Sequence, residues 1–142
     1  MSTVDEVREA SKKFYAGLNR MANGESNTLA AAWSQNGNAV AMHPIGGREV
    51  GWDAVNGSFN QVAQAASDGK IELKDQLIQD LGNVACEVGI EKVQFKLAGH
   101  EVKDEARVTN IYKKEGGSWK MVHHHTDLSP SMIDVLKKLQ SK

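Results

Sequence analysis

The chain has 142 residues, which is enough for one domain with a sizeable core and too few for two, so we predict a single domain over residues 1–142. Hydrophobic residues make up 40% and charged residues 25%, a mixture that argues against disorder. The 17 basic and 18 acidic side chains leave a formal charge of -1. This balance offers no electrostatic drive toward nucleic acid, which we therefore do not expect as a partner.

Cysteine usage and the absence of targeting signals predict a cytoplasmic protein. The single cysteine, Cys86, cannot form an internal disulfide, which fits a reducing compartment. No apolar stretch approaches the roughly 18 residues that a membrane-spanning helix needs. The first residues lack the basic and then apolar layout of a signal peptide, so we expect no membrane partner.

The first half of the chain has the apolar spacing of helices. Intervals of three and four from Val4 to Met21 predict a long first helix, and a shorter one is predicted over Leu29, Ala32 and Trp33. A short β-ribbon over residues 40–50 follows, with a turn at its glycine pair. A third helix is predicted over residues 52–66.

The second half of the chain has the period of β-strands. Alternation over residues 71–126, interrupted by glycine turns, predicts four antiparallel strands in meander order. On the second of these strands the apolar positions are even-numbered up to Ile90 and odd-numbered from Val93, which predicts a β-bulge near Glu91 and a sheet that curls. Ser129 and Pro130 are typical of the start of a final helix.

Short motifs accompany this order of elements: Phe14-Tyr15-x-x-Leu18-Asn19, Met42-His43-Pro44, Gly51-Trp52-Asp53-Ala54-Val55 and Trp119-Lys120-Met121-Val122-His123-His124-His125. Together they resemble the SnoaL-like and ketosteroid-isomerase-like branch of the nuclear transport factor 2-like superfamily. They are similar also to the association domain of calcium/calmodulin-dependent protein kinase II. The chain departs from ketosteroid isomerases proper because no pair of carboxylates matches their catalytic acids.

The resemblance implies an α+β fold. In this cone-shaped α+β barrel, three N-terminal helices pack in a strongly curved antiparallel sheet, with a short C-terminal helix. It also implies a cavity between sheet and helices and, commonly, a homodimer. This superfold hosts isomerases, dehydratases, cyclases, binding proteins and assembly modules, so the fold alone does not specify the chemistry.

Three consecutive histidines lie on the last predicted strand. Alternation puts His123 and His125 on one face and His124 on the other. The resemblance to the SnoaL-like branch favours His123 and His125 as the catalytic pair, whereas the hub-domain comparison could place His124 inside. Imidazoles titrate near neutral pH and suit general acid/base catalysis. The plainer interpretation is that these histidines line an interface or a polar cavity wall.

A metal site on this strand would need a third ligand from another element. His43 or Glu91 would have to supply that ligand, and no recognised spacing supports either. We therefore expect no metal and no cofactor.

Arg107 is a candidate ligand-binding residue because it lies on a strand predicted to neighbour the histidines. Its guanidinium could hold a carboxylate or enolate oxygen, and a surface ion pair with Glu105 or Glu91 is the alternative. Seven further candidates come from the helices, the ribbon and the histidine strand, although the aromatic ones among them equally suit a plain core. They are Tyr15, Asn19, Trp33, His43, Trp52, Phe59 and His124.

These features predict a protein that binds a small organic molecule in a cone-shaped pocket and forms a homodimer. If it is an enzyme, we expect a cofactor-free isomerase, dehydratase or cyclase that works by histidine-based proton transfer next to a carbonyl group. The alternative is a non-catalytic homodimeric assembly module that associates through the open face of its sheet.

Overall fold

A computed structural model describes residues 1–141 and contains three helices and six strands. In chain order they are α1 (Thr3–Met21), β1 (Val40–Met42), β2 (Glu49–Val50), α2 (Trp52–Ala65), β3 (Ala66–Asp80), β4 (Val84–Leu97), β5 (His100–Glu115), β6 (Ser118–Thr126) and α3 (Pro130–Gln140). The strands form one sheet in the order β2-β1-β6-β5-β4-β3. Strands β3 to β6 form the predicted meander, and β1 joins it by running parallel to β6.

The α+β fold class and the curved sheet are confirmed. The sheet bends at β3, where its register with β4 shifts between Ser67 and Lys70 and again between Lys74 and Leu77. Asp68 and Asp75, at these two shifts, have φ of 52° and 54°, a conformation that aspartate tolerates better than most residues. The apolar stripe of α1 packs against the concave face of the bent sheet.

The predicted bulge near Glu91 is wrong. Strand β4 pairs with β5 without interruption from Val84 opposite Lys113 to Leu97 opposite His100. Odd-numbered residues therefore face the interior along the whole strand, and the even-numbered apolar residues up to Ile90 lie on the outer face. The bends that curl the sheet belong to its neighbour β3, with one more register shift between β5 and β6 at Ile111.

The helix predicted over Leu29, Ala32 and Trp33 is also wrong, so two helices and not three precede the meander. This segment forms turns and then bonds to β6 through its main chain: Ser34 N–H donates to Met121 O, and Met121 N–H donates to Ala32 O. Tertiary main-chain pairing outweighs the local helical spacing here. The other predicted helices are confirmed, including the C-terminal one.

The C-terminal helix α3 begins as its sequence predicts. The hydroxyl of Ser129 accepts a hydrogen bond from Met132 N–H at 3.1 Å, and Pro130 occupies the first turn. Ser129 also donates to Asp104 on β5 at 2.5 Å, which ties the start of α3 to the sheet. Within residues 1–141, no helix is both long and apolar enough to cross a membrane.

Candidate functional site

A cavity of about 290 Å³ opens between the concave face of the sheet and the three helices. Its wall is mainly apolar, with Leu18, Met21, Phe59, Val62, Ile71, Val93, Phe95, Met132, Leu136 and Leu139 among the lining residues. Four titratable side chains also line it: Glu91 from β4, His124 from β6, Glu49 from β2 and His43, which directly follows β1. This combination of an apolar wall and a few convergent polar groups is typical of a small-molecule site.

Glu91 is the most unusual of these groups because it is a carboxyl with only 5% of its surface exposed. Its Oε2 accepts a hydrogen bond of 2.8 Å from the hydroxyl of Tyr15 on α1. Burial raises the pKa of Glu91 to about 7, the hydrogen bond from Tyr15 opposes that rise, and the nearby charge of Glu87 adds to it. At neutral pH this carboxyl can therefore both take up and release a proton.

Asn110 on β5 connects the polar groups behind the cavity wall. Its Nδ2 donates to the Tyr15 hydroxyl at 3.2 Å and to Glu87 Oε1 at 2.9 Å. Glu87 also accepts hydrogen bonds from Tyr112 and Gln76, at 2.8 and 2.6 Å. Every donor in this buried network thus has an acceptor, which holds the Tyr15 hydroxyl in position against Glu91.

His124 is fully buried, and the same network fixes its tautomer. The amide nitrogen of Asn110 faces the Glu87 carboxylate. The amide oxygen of Asn110 therefore faces His124 Nδ1, which is 2.6 Å away. That Nδ1 must carry the proton, which leaves Nε2 as an acceptor. Burial lowers the pKa of His124 to about 3, with smaller contributions from the neighbouring histidines, so the ring is neutral at physiological pH.

His43 is the second neutral imidazole of the cavity. Its Nε2 lies 2.7 Å from the hydroxyl oxygen of Ser58 on α2, and that hydroxyl donates to Val55 O. His43 Nε2 is therefore the donor of the pair. Burial lowers the pKa of His43, and its ring packs edge-on against Phe59 with centroids 4.8 Å apart.

His123 and His125, the pair that sequence comparison favoured, do not reach the cavity. Strand β6 is registered on β5 so that His124 lies opposite the buried Asn110, while His123 lies opposite Ile111 on the outer face. His125 is exposed on that face, and the two rings are 6.3 Å apart. The expectation that this pair faces the cavity is corrected: the inward histidine is His124.

Arg107 also lies outside the cavity, with 81% of its side chain exposed. Its Nε and Nη2 donate to the two carboxylate oxygens of Asp127 at 2.8 and 3.1 Å. The hydrogen bonds from Arg107 lower the pKa of Asp127. The alternative of a surface ion pair is the correct one, with Asp127 as the partner in place of Glu105 or Glu91.

The other predicted site residues separate into two groups. Phe59 lines the cavity, and Tyr15 donates a hydrogen bond to the cavity residue Glu91. Asn19 instead clamps β3, since its side chain bonds both N–H and O of Ile71 at 2.9 and 2.8 Å. Trp33 is buried in the core, and Trp52 packs against that core outside the cavity wall.

The sequence interpretation considered Glu91 only as a metal ligand or an ion-pair partner, and it passed over Glu87 and Asn110. One signal was present: Glu87 and Glu91 are in phase with Phe95 and Leu97 along β4, so two carboxylates share an apolar face. A polar residue in phase with buried apolar residues is a candidate site residue. In the part of the chain that the structure describes, no three His, Cys, Asp or Glu side chains converge as metal ligands.

A family model, described as SnoaL-like domain, matches residues 7–131. The chain belongs to the SnoaL-like domain family. The match covers α1 from Val7 onward, α2, the whole sheet and the first two residues of α3, and so includes Tyr15, Glu91, Asn110 and His124. The chain matches no curated protein.

The fold of this chain is similar to that of several solved structures. A candidate dehydratase of the NTF2-like family from Streptomyces avermitilis is 20% identical, with a TM-score of 0.76 over 89% of this chain and 96% of that one. The CaMKII hub of S. rosetta is 20% identical, with a TM-score of 0.71 over 89% and 97%. A candidate ketosteroid isomerase from Shewanella frigidimarina is 21% identical, with a TM-score of 0.67 over 84% and 92%. At these identities the likeness is one of fold.

The raised pKa of Glu91 predicts a pH-dependent stability. Between pH 4.5, its ordinary pKa, and about 7, the folded chain binds the Glu91 proton more tightly than the unfolded chain. The stability from Glu91 is thus complete below pH 4.5 and is lost as the pH rises through 7, by roughly 3 kcal/mol. Glu91→Gln lacks this titration. As the pH rises from 4.5 to 8, its free energy of unfolding should therefore increase by roughly 3 kcal/mol relative to that of the natural chain.

Urea unfolding of both proteins across this pH range measures the difference. The opposite titration of His124 occurs in both proteins and cancels in the comparison. A difference in unfolding free energy that does not change with pH would show that Glu91 has an ordinary pKa.

Proposed function

We propose that this protein binds a small, uncharged organic molecule in its cone and transfers a proton at a carbon next to a carbonyl group, with Glu91 as the general base. The buried carboxyl of Glu91, with its pKa near 7 and its place on the cavity wall, is the observation that carries this proposal. A base is most effective when its pKa lies near the working pH. The proton-transfer group is thus a carboxyl, in place of the histidine pair that the sequence favoured.

The neighbouring residues have distinct roles in this mechanism. The Tyr15 hydroxyl donates to the Glu91 carboxylate and stabilises its charged form. His124, neutral and protonated on Nδ1, offers Nε2 as an acceptor for a hydroxyl of the ligand. His43 lies on the same wall with its Nε2 held by Ser58. Asn110 positions both Tyr15 and His124 and touches no ligand itself.

The charge of the cavity supports an uncharged ligand. Its lining includes two carboxylic side chains, Glu49 and Glu91, and neither lysine nor arginine among the described residues. An anionic ligand would meet a low-dielectric wall without a compensating cation, which is costly. The volume of about 290 Å³ is at the small end for organic ligands, so a molecule of modest size is favoured.

Exchange of carbon-bound hydrogen for deuterium tests this proposal without a known substrate. A panel of small cyclic and linear ketones is incubated with the protein in D₂O, and loss of the proton next to the carbonyl is followed by NMR. We expect catalysed exchange whose rate increases as the pH rises through about 7, because the carboxylate is the active form. Glu91→Gln should lower the rate about 100-fold or more.

Glu101→Gln is the matched control, since Glu101 is an exposed glutamate on β5 outside the cavity. This variant should catalyse deuterium exchange in the ketones at the same rate as the natural chain. If the natural chain catalyses exchange and Glu91→Gln catalyses it at the same rate, Glu91 is not the general base.

We further propose that the protein is a homodimer formed through the outer face of its sheet. Val88, Ile90 and Ile111 are only half-buried there, and Leu77 beside them is 55% exposed. His123 and His125 extend this apolar surface onto β6. An apolar sheet face of this kind suits a self-complementary contact between two copies, and the similarity in fold to a CaMKII hub is consistent with an assembly role.

Light scattering coupled to size-exclusion chromatography at micromolar concentration measures the dimer. Ile111→Asp should produce monomers, because it would bury a charge at the centre of the contact. Gln94→Asp, at the far end of the same outer face, should remain dimeric. A natural chain that is strictly monomeric at this concentration would refute the proposal.

A further inference from the structure

A second and much smaller cavity, of about 30 Å³, lies beside the first. Glu91 lines both cavities, so this residue lies between the large apolar cavity and the small one, which we call the chamber. The rest of the chamber wall includes Val102 and Ala106 of β5, Thr126 of β6 and Met132 of α3. A space of this size holds one water molecule and is too small for an organic ligand.

Thr126 gives the chamber a polar group that no protein atom satisfies. Its side chain is buried, and its Oγ1 has no hydrogen-bond partner within residues 1–141. Such orphaned hydroxyls are rare because a buried donor needs an acceptor. The other polar residues of the chamber already have partners: Asp104 Oδ2 accepts from Ser129 Oγ at 2.5 Å and from Ser131 N–H at 3.1 Å.

Glu91 has spare acceptor capacity at this place. Its Oε2 receives the Tyr15 hydroxyl, and a carboxylate offers further lone pairs on both oxygens. A water in the chamber would find an acceptor in Glu91 and a partner in Thr126 Oγ1, which meets the requirement of at least two polar contacts for a buried water.

We infer that the chamber between Thr126 and Glu91 is a water-binding site, and that its water is a reactant or product of the reaction in the large cavity. The substrate class is then a β-hydroxy carbonyl compound or the α,β-unsaturated carbonyl compound formed from it. This inference rests on the proposed role of Glu91 as the base.

The reaction balances with Glu91 alone. Its carboxylate removes the proton from the carbon next to the carbonyl group, and the electrons of that C–H bond form the C=C bond as the C–O bond to the β-hydroxyl breaks. The departing hydroxide takes the same proton back from the Glu91 carboxylic acid and leaves as water. The substrate becomes an unsaturated carbonyl compound plus one water, Glu91 returns to its initial state, and the reverse sequence is hydration.

High-resolution crystal structures of the natural chain and of Thr126→Val test the water site directly. Valine is β-branched like threonine and suits a strand equally well, and it lacks only the hydroxyl, so the strand should keep its backbone. We expect a density peak within hydrogen-bonding distance of both Thr126 Oγ1 and a Glu91 oxygen, absent from Thr126→Val and retained in Thr126→Ser. No peak, or one that contacts Thr126 and not Glu91, would overturn the inference.

Activity measurements separate this inference from the proposed function. 4-Hydroxy-2-butanone serves as the probe, and each protein is assayed both for its dehydration and for deuterium exchange next to its carbonyl. Thr126→Val should lower the ratio of dehydration to exchange about tenfold, the effect of one lost hydrogen bond. Thr126→Ser should restore the ratio, and Thr109→Val on the outer face should leave it unchanged.

The two assays distinguish failure of the reactive role of the water from failure of Glu91 as the base. Exchange without dehydration by the natural chain would refute the water as a reactant and leave Glu91 as a base. An unchanged ratio in Thr126→Val would assign the chamber a structural role only. The absence of both reactions would refute the proposed function and the reactive role of the water together.

Discussion

The hydrogen bond from Tyr15 to Glu91 is the interaction on which the site depends. A carboxyl in an apolar cone is costly, and it is stable here because a tyrosine from α1 meets it at 2.8 Å. Asn110 orients that tyrosine and, through its amide oxygen, also sets the proton of His124. One asparagine thus couples the buried carboxyl of Glu91 to the neutral imidazole of His124, and the network joins α1 to four strands, β3 to β6.

The position of Glu91 between two cavities gives the network its chemical meaning. On one side is the large apolar cavity, and on the other is a chamber of the size of one water that is lined by an unsatisfied threonine hydroxyl. Burial raises the pKa of Glu91 toward neutrality, so that the carboxyl can exchange a proton with either side. Neither lysine nor arginine lines the large cavity among the described residues, which disfavours an anionic ligand.

The sequence predicted the fold well and the site only in part. Helical spacing in α1, alternation in the meander and the Ser129–Pro130 cap are local signals, and each was confirmed. Alternation also separated the histidines correctly, but it cannot say which face of a strand is inward. On β4 the outer face is itself apolar, so Val88 and Ile90 looked like core and concealed Glu91 as an inward residue. Asn110 emerged only from pairing across strands.

The pKa of the Glu91 carboxyl in the folded chain decides whether this group can serve as a general base at neutral pH. Carbon-13 NMR of protein labelled at the glutamate carboxyl, with Glu91→Gln to assign the signal, gives its pKa in the folded chain. We predict a pKa of about 7, and a higher pKa in Tyr15→Phe because the hydrogen bond that stabilises the carboxylate is lost. A titration near the ordinary value of 4.5 would contradict it, since a carboxylate that is fully ionised and weakly basic would not be the base proposed here.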